Sequence, residues 1–361
     1  MDDAHPLNVS LLTLGDPGIM TGGYLYHRRV ADRAPAHGAR VTFLSFPQRP
    51  FPLPVLAGPA VLRAVARARP DVLLLDSIAA AFLGPWLGRR RLPPLAGMLH
   101  QPPGGIDHAG ARRWAQSVLD RYAYRHAALL LAASADLAQT MRRAGVPDHL
   151  LRVVPPGRDP AVAPVPPGID LRQGRRAAVL SVGNWVARKG LLDLLDAVAL
   201  LPSDAVTLHL VGDTDAEPTY GARVRARIAA PDLAGRVVVH GLRSAAEVAG
   251  FYRAADVFAL ASVREPYGTV YGEAMAAGLP VVGWAAGNLP NLARHGVEGM
   301  VVPLEDRSAL AAALRSLALD DPLRHRMAAA AAHRAATFPS WDDTAAMLFA
   351  ELRTVVHQAR T

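Results

Sequence analysis

Residues 155–174, P-P-G-R-D-P-A-V-A-P-V-P-P-G-I-D-L-R-Q-G, are dominated by proline and glycine and show no hydrophobic periodicity, so they continue neither a strand nor a helix. On both sides of this segment the chain repeats one pattern, in which short apolar runs of strand length alternate with amphipathic stretches of helix length. Before it, strands are predicted at 8–14, 40–46, 72–76, 94–99, 128–133 and 151–154. Helices are predicted at 24–36, at 111–125, and from Ser134, a good N-cap, to Gly145. After it, strands are predicted at 177–182, 206–211, 237–240, 257–260, 281–284 and 300–302, with helices from 191, through 223–228, over 245–254 and over 307–319. Such alternation implies mostly parallel sheets covered by helices on both faces. The expected fold is α/β: two Rossmann-like, doubly wound parallel-sheet domains facing a central cleft, with ligands at the C-terminal ends of the strands. The expected boundaries are 1–160, an interdomain linker at 161–175, 176–335, and a terminal helical segment at 336–361. In that last segment Met347, Leu348, Leu352, Val355 and Val356 recur at helical spacing.

A length of 361 residues suits two such domains, and a chain 51% hydrophobic and 19% charged is globular. No apolar run reaches the roughly 18–20 residues of a spanning helix, and the start, M-D-D-A-H-P, lacks the basic-then-apolar pattern of a secretory signal. Without cysteine there is neither a disulfide framework nor a thiolate metal site. A cytoplasmic protein is expected. The net charge of +8 is concentrated in residues 1–160, which hold about 19 arginines against about 11 acids. Arg63, Arg67 and Arg69, Arg89, Arg90 and Arg91, Arg112 with Arg113, and Arg142 with Arg143 form clusters. These read first as solvated helix faces, and more sharply as a surface for an anionic acceptor or for anionic lipid headgroups at the inner membrane face. Nucleic acid is not expected, since no binding motif accompanies the charge. Of the 39 basic residues a single one, Lys189, is lysine, which suggests that a compact ammonium is wanted there.

Residues 264–280, R-E-P-Y-G-T-V-Y-G-E-A-M-A-A-G-L-P, follow the strand candidate 257–260. Glu265 and Glu273 bracket a Tyr267-Gly268-Thr269-Val270 turn that opens onto an alanine-rich helix. A helix start beyond a glycine offers free N–H groups and a positive dipole end to an anion, commonly a phosphate. The two glutamates could form an acid/base pair of the glycosidase kind. Their place on one phosphate-binding turn suits hydrogen bonding to hydroxyl groups better. A second loop, S-V-G-N-W-V-A-R-K-G at 181–190, puts Arg188 and Lys189 between a strand and a helix, where two cations fit a diphosphate. As mere decoration of the helix start they would oppose its dipole.

In the first half, G-D-P-G-I-M-T-G-G-Y contains neither G-x-G-x-x-G nor a P-loop, which argues against an NAD domain or a P-loop NTPase. Gly22 and Gly23 could let backbone amides approach a phosphate or sugar, or could form a plain turn. His100 ends the fourth strand before Gln101-Pro102-Pro103-Gly104-Gly105 and would face the cleft. The other twelve of the 13 histidines lack metal-ligand spacing and read as surface or locally satisfied residues. Asp213-Thr214-Asp215 is a D-x-D, read as a polar loop ending a strand.

On these residues the chain resembles glycosyltransferase family 4, which has the two-domain GT-B fold. E-P-Y-G-T-V-Y-G-E resembles the family's Glu-x7-Glu motif and runs into E-A-M-A-A-G-L-P-V-V. G-N-W-V-A-R-K-G is similar to its Gly-Arg…Lys-Gly loop, R-V-V-P-P-G-R-D to the segment before the linker, and G-G-Y-L-Y-H-R-R to its acceptor-side glycine loop. The helix after Trp341 is similar to one that crosses back to the first domain. The resemblance implies that the second domain binds a nucleotide-diphospho-sugar. Arg188 and Lys189 would neutralise the diphosphate, and the amides of Tyr267, Gly268, Thr269 and Val270 would add hydrogen bonds. Glu265 would hold the transferred sugar, Glu273 the ribose, and His100 would reach the sugar from the first domain. Gly22 and Gly23 would contribute on the donor side as well. Asn184 stands where the family has an arginine, so the loop's charge moves to Arg188. The family transfers with retention of configuration and without a dedicated metal.

The expected function is therefore a retaining glycosyltransferase using a nucleotide sugar (UDP or GDP), with no metal and no cofactor, and with an acceptor the sequence does not name. Two alternatives are a GT-B-fold sugar-nucleotide epimerase and a non-catalytic module binding nucleotide sugar or an anionic membrane.

Overall fold

The computed structural model describes residues 5–18, 22–88, 92–158 and 170–361. The middle of the first glycine loop, the arginine cluster at 89–91 and most of the expected linker fall outside these residues. The chain divides into two compact units, Met1–Gly157 with Pro339–Thr361, and Arg158–Phe338.

The first unit runs β1 (Leu7–Leu14), α1 (Gly22–Arg33), β2 (Ala39–Phe46), α2 (Gly58–Ala68), β3 (Val72–Asp76), α3 (Ala80–Leu83), β4 (Leu95–Leu99), α4 (Gly110–Tyr124), β5 (Leu129–Ala132), α5 (Ala135–Arg143) and β6 (Leu151–Val153). Its sheet is wholly parallel, in the order β2-β1-β3-β4-β5-β6. Every residue of β3 and β4 is buried, as in a sheet covered on both faces. Ser134 caps α5, its Oγ accepting from the Leu137 N–H at 3.1 Å. The helix expected at 24–36 starts earlier, at Gly22, and stops at Arg33. There Pro35, which has no N–H to donate, forces a 3-10 turn over Ala34–His37. Helix α2 was not expected. It is eleven residues long amid prolines and buries Val61, Leu62 and Val65.

The second unit runs β7 (Ala177–Val182), α6 (Leu191–Ala199), β8 (Val206–Val211), α7 (Pro218–Ile228), β9 (Val237–Gly241), α8 (Ala245–Ala254), β10 (Val257–Leu260), α9 (Thr269–Ala276), β11 (Val281–Trp284), α10 (Leu289–Leu292), β12 (Gly299–Val302), α11 (Arg307–Leu319) and α12 (Asp321–Ala336). It too is parallel throughout, in the order β12-β11-β10-β7-β8-β9. Chain growth goes outward from β7 through β8 to β9, then resumes on the other side of β7 with β10. The strand order therefore reverses between β7 and β10, and the loops leaving these two strands open a crevice at their carboxyl ends, where doubly wound folds bind ligands. Fully buried Trp185 and Trp284 anchor the core on one face of this sheet.

The last helix, α13 (Trp341–Arg360), is grouped with the first unit. Ser340 and Asp343 close a capping box at its start. Trp341 meets Tyr26 edge-on with 5.7 Å between ring centroids, and Thr344 Oγ1 donates to the Pro155 carbonyl at 2.9 Å. Among the described residues no helix is long and apolar enough to cross a membrane.

Candidate functional site

In the second unit the two loops singled out from the sequence meet at the reversal point. The β7 loop carries a 3-10 turn, Ala187–Lys189, ending on Gly190 at φ +65°. A side chain at Gly190 would place its Cβ 1.9 Å from the Ala261 carbonyl oxygen, so only glycine lets the loop seat against the end of β10. Two hydrogen bonds stitch the loops together, from the Val263 N–H and the Ser262 Oγ to the Arg188 carbonyl at 2.9 and 3.0 Å. Lys189, buried, is ion-paired with the buried Glu265, and the Arg188 guanidinium stands 4.0 Å from the same carboxylate oxygen.

Glu265 is held in turn by its backbone. Its carbonyl accepts from the Asn288 N–H at 3.0 Å, while Asn288 Nδ2 donates to the Tyr267 carbonyl at 2.8 Å. Gly268, at φ +76°, turns the chain into α9, and no side chain caps that helix start. Thr269 and Val270 form its first turn. Glu273, one turn further along, is exposed and accepts from the Tyr252 hydroxyl at 3.0 Å. Burial, reinforced by the Glu273 charge, pushes the Tyr252 phenol well above its ordinary pKa, so it remains a donor. Arg188, Lys189, Glu265, Tyr267, Gly268, Thr269, Val270 and Glu273 thus share one locality. It combines two cations, a helix start and two carboxylates, the chemistry of an anionic, hydroxyl-bearing ligand.

Asn184, at the position of the family arginine, is exposed and serves the neighbouring loop, its Oδ1 accepting from the Asp213 N–H at 3.2 Å. Asp213 folds its Oδ1 onto the Asp215 N–H at 2.9 Å, and Arg225 pairs with Asp215 at 3.3 Å. The D-x-D is a turn tied to α7.

Gly22, Gly23 and His100 lie in the first unit. Gly22 opens α1 with nothing within 4 Å of where a Cβ would stand. His100 follows β4 and is buried, but it is not isolated, and here the sequence expectation needs correction. His27, grouped above with surface or locally satisfied histidines, is buried on α1 with its Nε2 3.0 Å from His100 Nε2 and 3.1 Å from Asp76 Oδ2. Sequence spacing could not show this, because α1 and the ends of β3 and β4 meet only through the sheet order. The legible signal was Asp76, a carboxylate closing the apolar strand V-L-L-L-D. Asp76 Oδ2 also accepts from Thr13 Oγ1 at 2.9 Å. Burial would raise the Asp76 pKa, but the neighbouring imidazoles, chiefly His27, and Thr13 outweigh it and hold the group at about 2. Burial, with the His27 charge, lowers His100 to about 3, so its ring is neutral at ordinary pH.

One donor atom from each of His27, Asp76 and His100 lies within 4.8 Å of the other two, a set that could hold a metal ion. The 3.0 and 3.1 Å contacts are of hydrogen-bond length. Ligand atoms around a tetrahedral zinc stand about 3.3 Å apart.

Two six-stranded, doubly wound parallel sheets, the second carrying a cationic loop and a helix start at its reversal point, define a protein of the GT-B class. Residues 4–157 match the glycosyl transferase 4-like domain and residues 176–320 match glycosyl transferases group 1, and the chain belongs to this glycosyltransferase family. A D-inositol 3-phosphate glycosyltransferase of Xylanimonas cellulosilytica is 32% identical over 232 residues, which cover 61% of this chain and 55% of that protein. The chain spans about half the length of the curated relatives it matches. HepE of Anabaena, solved in complex with UDP and glucose, superposes with a TM-score of 0.77 at 25% identity, covering 96% of this chain and 99% of that one. Sucrose-phosphate synthase of Thermosynechococcus elongatus shares the fold with a TM-score of 0.84 at 21% identity, over 97% of this chain and 99% of that one.

Proposed function

We propose that this protein is a retaining glycosyltransferase that takes a sugar from a nucleotide-diphospho-sugar and needs no metal to do so. The observation that carries it is the seating of Lys189 and Arg188 beside Glu265 at the strand-order reversal of the second unit. In this reading the two cations and the start of α9 neutralise charge growing on the departing diphosphate, and they stand in place before reaction. Glu265, already held by Lys189 and Asn288, orients hydroxyls of the transferred sugar. Glu273 and Tyr252 bind the ribose, and His100 contacts the transferred sugar. A UDP-sugar is the favoured donor, supported by HepE, whose structures contain UDP or UDP-glucose. A phosphorylated polyol is the favoured acceptor class, supported by the inositol phosphate in the names of the curated relatives. The test is binding and transfer with a panel of UDP-, GDP- and dTDP-sugars, with and without chelator. Binding of none of them refutes the proposal, and activity abolished by chelation refutes its metal-independent part.

A second, compatible reading is a peripheral position on an anionic membrane, favoured by one face of α4. Trp114, Val118 and Tyr122, at intervals of four, are 71%, 49% and 42% exposed. Arg112, Arg113, Arg121 and Arg125 flank them, and none of the four is ion-paired with a described residue. Aromatic and aliphatic side chains among unneutralised arginines suit the headgroup layer of an anionic bilayer.

A further inference from the structure

The cationic loop of the second unit does not supply its own caps. Its 3-10 turn, Ala187–Lys189, is a single short turn, and Val186 before it offers no side chain to cap it. Helix α6 begins on Gly190, which likewise offers none. Both missing caps come from the start of α7. Glu217, just before that helix, accepts from the Ala187 N–H through Oε2 at 2.9 Å. Tyr220, buried on the first turn, accepts from the Leu192 N–H through its hydroxyl at 3.2 Å. Three residues apart, the two side chains share one side of the helix start. Arg188, Lys189 and Gly190 lie between the two anchored amides. Helix α7 is itself fixed at two further points. Gly221 lets it approach the Thr214 carbonyl oxygen, 2.4 Å from where a Cβ would stand. Arg225 holds Asp215 at 3.3 Å, and its guanidinium lies 6.0 Å from the ring centroid of the buried Trp185, whose backbone N–H donates to the Asp213 carbonyl at 2.8 Å. From the other side, Val263 and Ser262 hold the Arg188 carbonyl. The backbone that carries the two cations is therefore gripped from both flanks.

We propose that Glu217 and Tyr220 are positioning residues, which set the Ala187–Leu192 backbone from which Arg188 and Lys189 meet the donor's diphosphate. The role rests on the proposed function, which says what the fixed loop is for. Cations already in place stabilise developing charge without reorganising during the reaction, and a displacement of about 1 Å loses much of that effect. The sign of the Glu217 charge points the same way. A carboxylate beside an anion site weakens the attraction of the neighbouring cations. Its placement on the Ala187 N–H is explained by the backbone it holds and not by contact with the ligand. Neither residue belongs to the two loops whose composition marks the site, and they reach it from 30 and 28 residues further along the chain.

Amide hydrogen exchange and UDP titration of the full-length protein test the clamp and its role separately. In the wild type the Ala187 and Leu192 amides should exchange about 10-fold or more slower than open loop amides. Glu217→Ala should release the first and Tyr220→Phe the second. Glu217→Gln keeps an acceptor oxygen without the charge and should keep Ala187 protected. Glu217→Ala and Tyr220→Phe should each raise the UDP Kd about 3–10-fold and lower kcat with a UDP-sugar about 10-fold. Glu217→Gln should stay within about 2-fold of the wild type in both. A merely structural role would lower the melting temperature and the active fraction while leaving the UDP Kd unchanged, and that result would overturn the proposal. So would tighter UDP binding by both Glu217→Ala and Glu217→Gln, which would make the carboxylate a competitor for the anion. Fast exchange at Ala187 in the wild type would overturn the clamp whatever UDP does. Protected amides in a protein that binds neither UDP nor inorganic pyrophosphate would leave the clamp standing and refute the donor site, and with it the role assigned to these residues.

Discussion

Lys189 and Glu265, 76 residues apart in sequence, form a buried ion pair at the ends of two neighbouring strands. Removing one partner strands the other charge in a low-dielectric site, with Arg188 at 4.0 Å as partial relief only for the carboxylate. Lys189→Ala and Glu265→Ala should each destabilise the fold by about 2–5 kcal/mol, and the double variant by clearly less than their sum. A denaturant-melt double-mutant cycle measures the coupling. Strict additivity would show that the two side chains do not act as a unit.

Glu273 and Glu265 should separate kinetically. Glu273 is exposed and touches Tyr252, so Glu273→Ala should chiefly raise the donor Kd, by about 10-fold. Glu265→Ala should chiefly lower kcat, by about 100-fold or more, because it loses an interaction that strengthens in the transition state. The opposite pattern in isothermal titration and initial-rate measurements would mean that the two roles are exchanged.

Gly190→Ala tests the seating of the cationic loop. The new Cβ meets the Ala261 carbonyl at 1.9 Å from a left-handed backbone, a combination of clash and strain that costs about 2–4 kcal/mol or displaces the loop. Donor affinity should fall along with thermal stability. Gly22→Ala, with open space at its Cβ, should leave stability within about 1 kcal/mol.

Asp120 offers a pH test in the first unit. It is buried on α4 and its Oδ2 accepts from the Gly104 N–H at 2.8 Å, holding the segment after His100. Burial raises its pKa to about 7, against a partial lowering by Gly104 and its other hydrogen bonds. The folded value lies above that of an unfolded aspartate near 3.9, so the folded state binds the extra proton. The resulting stability is complete below about pH 4 and is lost as pH rises through 7. Asp120→Asn should flatten this dependence, and its stability relative to wild type should grow between pH 5 and 8 by up to a few kcal/mol. Urea midpoints across that range check the sign. A relative stability that shrinks with pH would contradict it.

The α4 face predicts vesicle binding. Cosedimentation with phosphatidylglycerol-containing vesicles should fall at least several-fold in a Trp114→Ser, Val118→Ser variant, and should weaken with salt. Equal binding to neutral vesicles, or none at all, would leave α4 as an ordinary solvated face.

The alternation of strands and helices, the break near residue 155, and the pairing of Arg188-Lys189 with Glu265–Glu273 were legible in the sequence, because period, turn residues and loop composition are local properties. Lys189 stood out as the lone lysine among 39 basic residues. Helix α2 leaves little sequence signal because it is short and lies amid prolines, and α1 is shorter than its periodicity predicts because Pro35 ends it. Partners that depend on strand order were not legible. Tyr252 beside Glu273, Asn288 beneath the Glu265 turn, and His27 with Asp76 behind His100 each come from a separate element. Sequence by itself determined which residues could bind an anion or a hydroxyl. The order of parallel strands in each sheet decided which of them meet, since that order fixes which loops leave adjacent carboxyl ends and so which buried charges must neutralise one another.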